Sequence, residues 1–280
     1  MKTKSQCAAR PCVLTIAGSD SGGNAGVQAD LRAFHSYGLH GCTVLAALTA
    51  QNPRAVKAVH AVPPEFVAAQ LEAVFEMYSV KALKTGMLAE AEVIGAVADE
   101  LSRHARVKKV IDPVMVATSG ARLIAEDAVA ALRERLLPLA TIVTPNLPEA
   151  GVLLGSEVGA ENAEDAARDL SRELGCAVLV KGGHALGASA REVVDVLYDG
   201  RRMHRFSAPA VLRPASTHGT GCTLAAALAA ELALGASIPA AVRGAKEYVY
   251  EAIKISYYVG RRCGVLGMPE RRSGNGRRRI

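Results

Sequence analysis

Short apolar runs alternate with helix-patterned segments along most of this chain, and this alternation is the feature that most restricts how it can fold. The runs that predict strands are 13–18, 42–49, 80–85, 107–112, 141–144 and 176–181. The segments that predict helices are 26–37, 64–77, 90–103, 125–136, 147–154 and 162–174. Strands that are apolar along their whole length, each followed by a helix, predict βαβ units and a mostly parallel sheet with helices on both faces.

The pattern changes after residue 181. Residues 193–198 and 203–207 predict a β-hairpin, because a turn-forming segment with Asp199 and Gly200 separates them. Two longer helices are predicted at 221–234 and 238–259. Only 4% of the residues are aromatic, so Ala, Val and Leu must build the core, which suits helices packed closely on a sheet.

We expect one folded domain over residues 12–260, with an N-terminal extension at 1–11 and an Arg/Gly-rich tail at 261–280 that is disordered. The net charge is +6, but the tail alone holds seven Arg and one Glu, and the rest of the chain carries 26 basic and 26 acidic residues. A basic face for nucleic acid is therefore not predicted. No run of 18 apolar residues or signal-peptide pattern occurs, so we expect a cytoplasmic protein that does not bind membranes. The six cysteines show no metal-ligand spacing and indicate reduced thiols.

Glycine-rich and polar segments follow the predicted strands, at the sheet edge where α/β proteins bind ligands. Gly18–Gly26 holds four glycines between a strand and a helix, which lets the backbone approach a ligand closely. It matches neither the P-loop nor the dinucleotide pattern, and a tight capped turn would explain it equally well. Lys84–Met87 ends another strand, where a glycine turn beside a packed Met is the simpler interpretation.

Oxygen-bearing side chains and a lysine follow three further strands. Asp112 comes directly after one strand, and Asn146 and Glu149 share a face at the start of a helix. Carboxylate and amide oxygens suit Mg²⁺, although Asn146 alone could be a simple helix cap. Lys181 ends another strand and could neutralise a phosphate, or simply be solvated.

The segment Thr217–Thr223 precedes an uninterrupted helical pattern. Its Gly and Thr residues would present free backbone N–H groups at the positive end of the helix, which is suited to the charge of a transferring phosphoryl group. Cys222 would lie in the first turn, where the pKa of a thiol tends to fall. Helix capping without function remains the alternative.

Eight segments together resemble the hydroxymethylpyrimidine/phosphomethylpyrimidine kinase family of the ribokinase-like superfamily. They run in order from about residue 12 to about 255: Thr15–Gly23, Gly26–Asp30, Thr49–Asn52, Lys84–Leu88, Asp112–Met115, Thr144–Ala150, Lys181–His184 and Thr217–Thr223. The resemblance implies a three-layer α/β/α ribokinase-like fold with a mostly parallel central sheet and a small β flap. It also implies ATP, Mg²⁺ and two successive phosphorylations in thiamine biosynthesis, first of 4-amino-5-hydroxymethyl-2-methylpyrimidine and then of its monophosphate.

The resemblance also implies roles for individual residues. The pyrimidine would contact Gly18, Asp30, Gln51 and Met87. The nucleotide would contact Asn146, Glu149, Lys181, Thr217, Gly219, Ala245 and Val249, together with the loop near 206–213. Catalysis would involve Cys222, Gly219, Thr220, Gly221 and Lys181, and the metal would lie near Asp112 and Glu149.

Several alternatives stay open at this level. Cys222 could take the proton from the attacking hydroxyl, or only orient the substrate. The chain could instead be a pyridoxal-type vitamin kinase, or a pyrimidine sensor without activity. A homodimer is expected, with Val56–Val62 as a β flap that could pair across it. Deletion of residues 263–280 is expected to leave activity and melting temperature nearly unchanged.

Overall fold

The computed structural model describes residues 10–115, 126–183 and 191–270. Within them, nine strands form one sheet in the order β3-β2-β1-β4-β5-β6-β7-β8-β9. The strands are β1 (Cys12–Asp20), β2 (His40–Asn52), β3 (Ala55–Ala61), β4 (Val80–Thr85), β5 (Lys108–Ile111), β6 (Ile142–Val143), β7 (Ala177–Val180), β8 (Glu192–Tyr198) and β9 (Met203–Pro209). Neighbours from β2 through β7 are parallel, while β3, β8 and β9 add antiparallel edges.

Helices cover both faces of the sheet. They are α1 (Gly26–Ser36), α2 (Pro64–Met77), α3 (Ala91–Ser102), α4 (Glu126–Ala131), α5 (Leu147–Leu154), α6 (Ala163–Leu174), α7 (Thr220–Ala233) and α8 (Ile238–Lys254). One apolar cluster joins α2–α6 to the sheet, and a second joins α1, α7 and α8 to its other face. Strand residues alternate between the clusters, Val110 into the second and Ile111 into the first, which is why the strands are apolar throughout. The predicted three-layer α/β/α architecture is confirmed.

The helix predicted at 125–136 is less regular than expected. After α4, residues Leu132–Leu136 wind as a π-helix and Leu137–Leu139 as a 3₁₀-helix. Pro138 has no backbone N–H, so a regular α-helix cannot continue through it.

The predicted β flap corresponds to β3, which pairs antiparallel with β2 and forms one outer edge of the sheet. Most of its side chains are exposed, as is Leu48 on β2 beside it. The strand therefore ends the sheet, and no other strand of the described residues pairs with its outer edge.

The C-terminal part differs from the prediction. The helix predicted to reach 259 ends at Lys254, and a hairpin of β10 (Tyr257–Val259) and β11 (Cys263–Val265) follows it. The aromatic and β-branched residues of β10 favour a strand over a helix, and Gly260 turns the chain with a φ of +52°.

The predicted end of the fold at Gly260 is also too early. Val265 and Leu266 are buried, and Arg32 on α1 donates a hydrogen bond to the Leu266 carbonyl over 3.2 Å. Residues 261–270 therefore belong to the folded unit, whereas the rest of the predicted tail, 271–280, lies outside the described residues.

Candidate active site

The glycine-rich loop after β1 is held by the side chain of Asp20, which is buried. Its carboxylate accepts hydrogen bonds from the backbone N–H groups of Gly22, Asn24 and Ala25, at 2.7 to 2.9 Å. The loop ends at Gly26, whose φ of +57° and close approach to the Gly18 carbonyl oxygen leave no room for a side chain. These contacts give the loop one defined path into α1.

Three of the four residues predicted to contact the pyrimidine lie at this end of β1. A Cβ on Gly18 would be 2.8 Å from the terminal methyl of Met87, so the Met side chain lies directly against the Gly18 backbone. Gln51 is tied to the loop by Ser21, whose hydroxyl donates to the Gln51 carbonyl and accepts from its N–H, both at 2.8 Å.

Asp30, the fourth, does not line this surface. Its side chain has no exposed area and its oxygens are occupied by Thr15 Oγ1 at 2.6 Å and by Lys84 Nζ at 3.0 and 3.2 Å. Lys84 is equally buried. A carboxylate without access to solvent needs such partners, so Asp30 is the counter-ion of Lys84, and its contact with the pyrimidine stays a prediction. Burial acts to lower the pKa of Lys84, but the attraction and hydrogen bond of Asp30, together with Cys222 and Asp112, raise it overall.

The carboxyl ends of β5, β6 and β7 bring together the residues predicted for metal and phosphate. Lys181 Nζ lies 2.7 Å from Asp112 Oδ1 and 3.9 Å from Glu149 Oε2. Asn146 caps α5: its Oδ1 accepts from the Glu149 N–H, and the Glu149 carboxylate accepts from the Asn146 N–H, each at 2.8 Å. This capping box fixes the direction in which Glu149 points.

The charges in this cluster influence one another. Burial raises the pKa of Glu149 to about 7, and Asp112 adds to the increase while Lys181 opposes it. Burial alone would lower the pKa of Lys181, but the two carboxylates raise it. Lys181 is therefore a permanent cation between two acidic side chains.

The N-terminus of α7 lies beside this cluster and beside the glycine-rich loop. Gly219 precedes the helix with a φ of +85°, and a Cβ there would collide with the Asn24 carbonyl oxygen. A Cβ on Gly221 would be 3.7 Å from Lys181 Nζ. The N–H groups of the first turn and the Lys181 ammonium thus contribute positive charge to one place. Thr217 is exposed at the approach to the helix, and Thr220 is its first residue.

Cys222 lies in the first turn as predicted, but its pKa moves in the opposite direction. Burial raises the pKa of the thiol, and the nearby carboxylates Asp30 and Asp112 add to this, while Lys84 and the Gly26 N–H oppose it. The predicted lowering of the thiol pKa is therefore wrong, because desolvation outweighs the helix terminus.

Of two residues predicted to contact the nucleotide, Ala245 is buried and Val249 is partly buried. Ala245 has no exposed area and Val249 packs against the same cluster between α7, α8 and the sheet. Direct contact of Ala245 with a ligand is not supported, because its methyl group faces the core.

Sequence inspection missed three buried charges near the site: Lys84, Asp195 and Lys246. Lys84 was assigned only to a turn, although it pairs with Asp30. Asp195 pairs with Lys246 Nζ at 2.7 Å. The one available signal was an Asp in the otherwise apolar strand Val193–Tyr198. His184 lies outside the described residues.

No helix among the described residues is long and apolar enough to cross a membrane. The same residues contain no group of three or more His, Cys, Asp or Glu side chains that could hold a metal ion.

Comparison with known proteins gives consistent results. Residues 20–267 match the model of the phosphomethylpyrimidine kinase family. The chain is 50% identical over 86% of its length to a hydroxymethylpyrimidine/phosphomethylpyrimidine kinase of Rhizobium meliloti, of which it covers 89%. It is also 50% identical over 91% of its length to a thiamine biosynthesis bifunctional protein of Geobacter sulfurreducens, but spans only 51% of that longer protein.

Two solved structures show the same fold. A Bacillus subtilis pyridoxal kinase in complex with ADP superposes with a TM-score of 0.85 at 36% identity, covering 94% of this chain and 98% of that one. A phosphomethylpyrimidine kinase of Clostridium difficile gives a TM-score of 0.76 at 37% identity, covering 87% of this chain and 100% of that one. The two proteins share this fold but are named for different substrates.

Proposed function

Because this chain belongs to the phosphomethylpyrimidine kinase family, we propose that it is an ATP-dependent kinase of thiamine biosynthesis. It phosphorylates 4-amino-5-hydroxymethyl-2-methylpyrimidine and then phosphorylates the monophosphate to the diphosphate. In the first step the hydroxymethyl oxygen attacks the γ-phosphorus of ATP, the bond to the β-γ bridging oxygen breaks, and ADP leaves.

The position of Lys181 is the observation that carries this proposal. Its ammonium lies beside the first turn of α7 and contacts Asp112 on its other side. A phosphoryl group between these elements would meet backbone N–H groups and a fixed cation, and preorganised charge of this kind is the main contribution of a protein to phosphoryl transfer. Gly219, Thr220 and Gly221 would form the anion hole, and Thr217, Asn146 and Glu149 would lie along the phosphates.

The residues present fit a magnesium ion. Asp112 and Glu149 are two carboxylates close to one lysine. Burial, with a smaller contribution from Asp112, raises the pKa of Glu149, and a divalent cation would stabilise its charged form. Mg²⁺ usually keeps several waters and takes only one or two carboxylates. When bound, it would neutralise charge on the phosphates, and Asp112 and Glu149 would hold it.

The pyrimidine would lie at the end of β1. Gly18 permits close approach of the ring, Met87 would pack on its face, and the Gln51 amide could pair with ring nitrogens or the exocyclic amine. Asp30 would support this pocket from beneath through Lys84.

For Cys222, the raised pKa favours orientation of the substrate over removal of its proton. A thiol that is protonated at neutral pH cannot accept the proton of the attacking hydroxyl. The proton would then leave on the phosphoryl oxygens, and Cys222 would contribute its backbone N–H and its shape.

Steady-state kinetics with purified protein test the function. We expect ADP formation with the hydroxymethylpyrimidine and with its monophosphate, and a lower kcat/KM with pyridoxal. A higher kcat/KM with pyridoxal would favour vitamin B6 salvage, which the similarity to the Bacillus subtilis pyridoxal kinase keeps as the second candidate. Tight binding of the pyrimidine without ADP formation would indicate that the protein is a pyrimidine sensor without kinase activity.

We also expect a homodimer in the cytoplasm, where ATP is available. The outer edge of β3, with the exposed Val59 on β3 and the exposed Leu48 on β2, could supply the contact. Sedimentation equilibrium of the wild type and of a Leu48→Glu variant would test the dimer, since a charge there should favour monomers.

A further inference from the structure

A buried ion pair joins α8 to the end of the central sheet. Lys246 Nζ on α8 lies 2.7 Å from Asp195 Oδ2 on β8, and both side chains are at most one tenth exposed. The second oxygen, Asp195 Oδ1, accepts a hydrogen bond of 2.9 Å from the backbone N–H of Gly182. One carboxylate thus satisfies a charge on one side and a backbone donor on the other.

The backbone that Asp195 contacts is the one that carries Lys181. The Lys181 N–H donates to the Pro145 carbonyl at 2.8 Å, and the next N–H, that of Gly182, donates to Asp195. A Cβ on Gly182 would collide with the Val194 carbonyl oxygen, so the turn packs tightly on β8. From this turn Lys181 reaches Asp112 and the start of α7.

We propose that Asp195 is a positioning residue for phosphoryl transfer, holding the Gly182 N–H so that Lys181 projects onto the phosphate site. The proposal rests on the function proposed above. Lys246 has a different part: it neutralises a carboxylate that would otherwise be buried without a counter-ion. The hydrogen bond to Gly182 should therefore matter for turnover, and the charge pair mainly for stability.

Two double variants separate the role of the hydrogen bond to Gly182 from the role of the charge pair. Asp195→Asn with Lys246→Met removes both charges but keeps an oxygen that can accept from the Gly182 N–H. Asp195→Leu with Lys246→Met removes both charges and the acceptor at similar volume. Replacing a buried ion pair with uncharged residues often leaves a protein folded, so both are expected to fold.

We expect the Asn/Met variant to retain kcat within about threefold, and the Leu/Met variant to lose about tenfold to a hundredfold, as small misplacements of catalytic groups commonly do. The KM for the pyrimidine alcohol should be unchanged in both, because its pocket lies at β1. Lys246→Met alone should lower the melting temperature and leave kcat near that of the wild type.

Lys109→Met is the matched control for loss of a buried lysine. Lys109 is buried and donates to the His104 and Val107 carbonyls at 2.7 and 3.2 Å, near the beginning of β5. It should change melting temperature and not kcat.

Equal kcat values in the Asn/Met and Leu/Met variants would overturn the proposal. If the Leu/Met protein cannot be purified folded, the Lys246→Met variant alone tests the proposal, because Asp195 still accepts the Gly182 hydrogen bond in that variant. A kcat for it of about a hundredth of the wild-type value would overturn the proposal. A wild-type protein without kinase activity would instead refute the proposed function.

Discussion

At the scale of single residues, Cys222 shows how burial competes with a helix terminus. The positive end of a helix favours a nearby anion by about 0.3–1 kcal/mol, and by about 2 kcal/mol at most. One unit of pKa corresponds to about 1.4 kcal/mol, and desolvation of a fully buried group can shift its pKa by up to about 3–5 units. Burial therefore determines the direction, and the pKa of the Cys222 thiol rises.

The two successive reactions allow the role of Cys222 to be measured. A phosphate monoester has a second pKa of about 6, so the acceptor oxygen of the second step is already ionised at neutral pH and needs no general base. If Cys222 positions the substrate, Cys222→Ala should lower kcat by a similar factor, about tenfold or more, in both steps. A loss confined to the first step would instead identify Cys222 as the base.

Glu149 has a pKa of about 7 in the folded protein against 4.5 for an unperturbed side chain. Between these values the folded state binds more protons than the unfolded state, so the contribution of Glu149 to stability falls as the pH rises from about 4.5 to about 7 and is constant above. Glu149→Gln keeps an oxygen for the Asn146 N–H but cannot ionise.

Thermal unfolding of the ligand-free proteins at pH 5, 6, 7 and 8 tests this. The melting temperature of Glu149→Gln, relative to that of the wild type, should rise across the series and level off above pH 7. A difference that stays constant with pH would show that Glu149 is ionised throughout, contrary to its raised pKa.

At the scale of elements, α7 and the glycine-rich loop are built against each other. The carbonyl oxygen of Asn24 occupies the space where a side chain on Gly219 would lie. Since Asn24 belongs to the loop after β1 and Gly219 begins α7, this contact sets the distance between the proposed pyrimidine pocket and the anion hole. Neither segment could adjust alone without changing that distance.

Substitution of Gly219 tests this packing. Both Gly219→Ala and Gly235→Ala place a side chain at positive φ, +85° and +92°, at opposite ends of the same helix. That strain costs about 1–2 kcal/mol in each case, but nothing lies within 4 Å of a Cβ on Gly235. Gly219→Ala should therefore lower the melting temperature further and reduce kcat about tenfold or more, whereas Gly235→Ala should retain kcat. Equal kcat values would contradict a close fit between loop and helix.

The elements that sequence predicted well are those whose pattern is local. Helix α5 and strand β4 match their predicted bounds, because apolar spacing and the cap Asn146 mark their ends. The C-terminal hairpin was missed although β10 carries strand-forming residues, because its packing partners Ala215 and Ser216 and the Arg32 bond to Leu266 come from earlier parts of the chain. Likewise, the buried position of Asp30 could not be read from its motif, since its partners Thr15 and Lys84 come from two other segments.

At the scale of the whole molecule, the C-terminal hairpin is part of the domain. The Ala215 N–H donates to Ser256 Oγ at 2.9 Å, and Gly264 packs against the Ala215 carbonyl and the Ser216 side chain. These residues precede the anion-hole segment directly. The hairpin thus supports the approach to α7, and Val265 in the hairpin and Leu266 directly after it are themselves buried.

Two truncations test this boundary. A chain that stops after Glu270 should keep the melting temperature and activity of the full-length protein. One that stops after Arg262 loses the buried side chains of Val265 and Leu266, worth about 1.5–3 kcal/mol each, and should melt at least several degrees lower. Equal melting temperatures for the two would show that the hairpin contributes nothing to the fold.

The two helical layers also differ in when they can form during synthesis. One face of the sheet is covered by α2–α6, which follow their strands promptly, whereas the other face needs α1 together with α7 and α8. At about 5–20 residues per second, roughly 10–50 seconds separate the translation of Arg32 from that of its partner Leu266. During that interval the nascent chain leaves an apolar sheet face largely uncovered. The second apolar layer is therefore completed last, once α7 and α8 have left the ribosome.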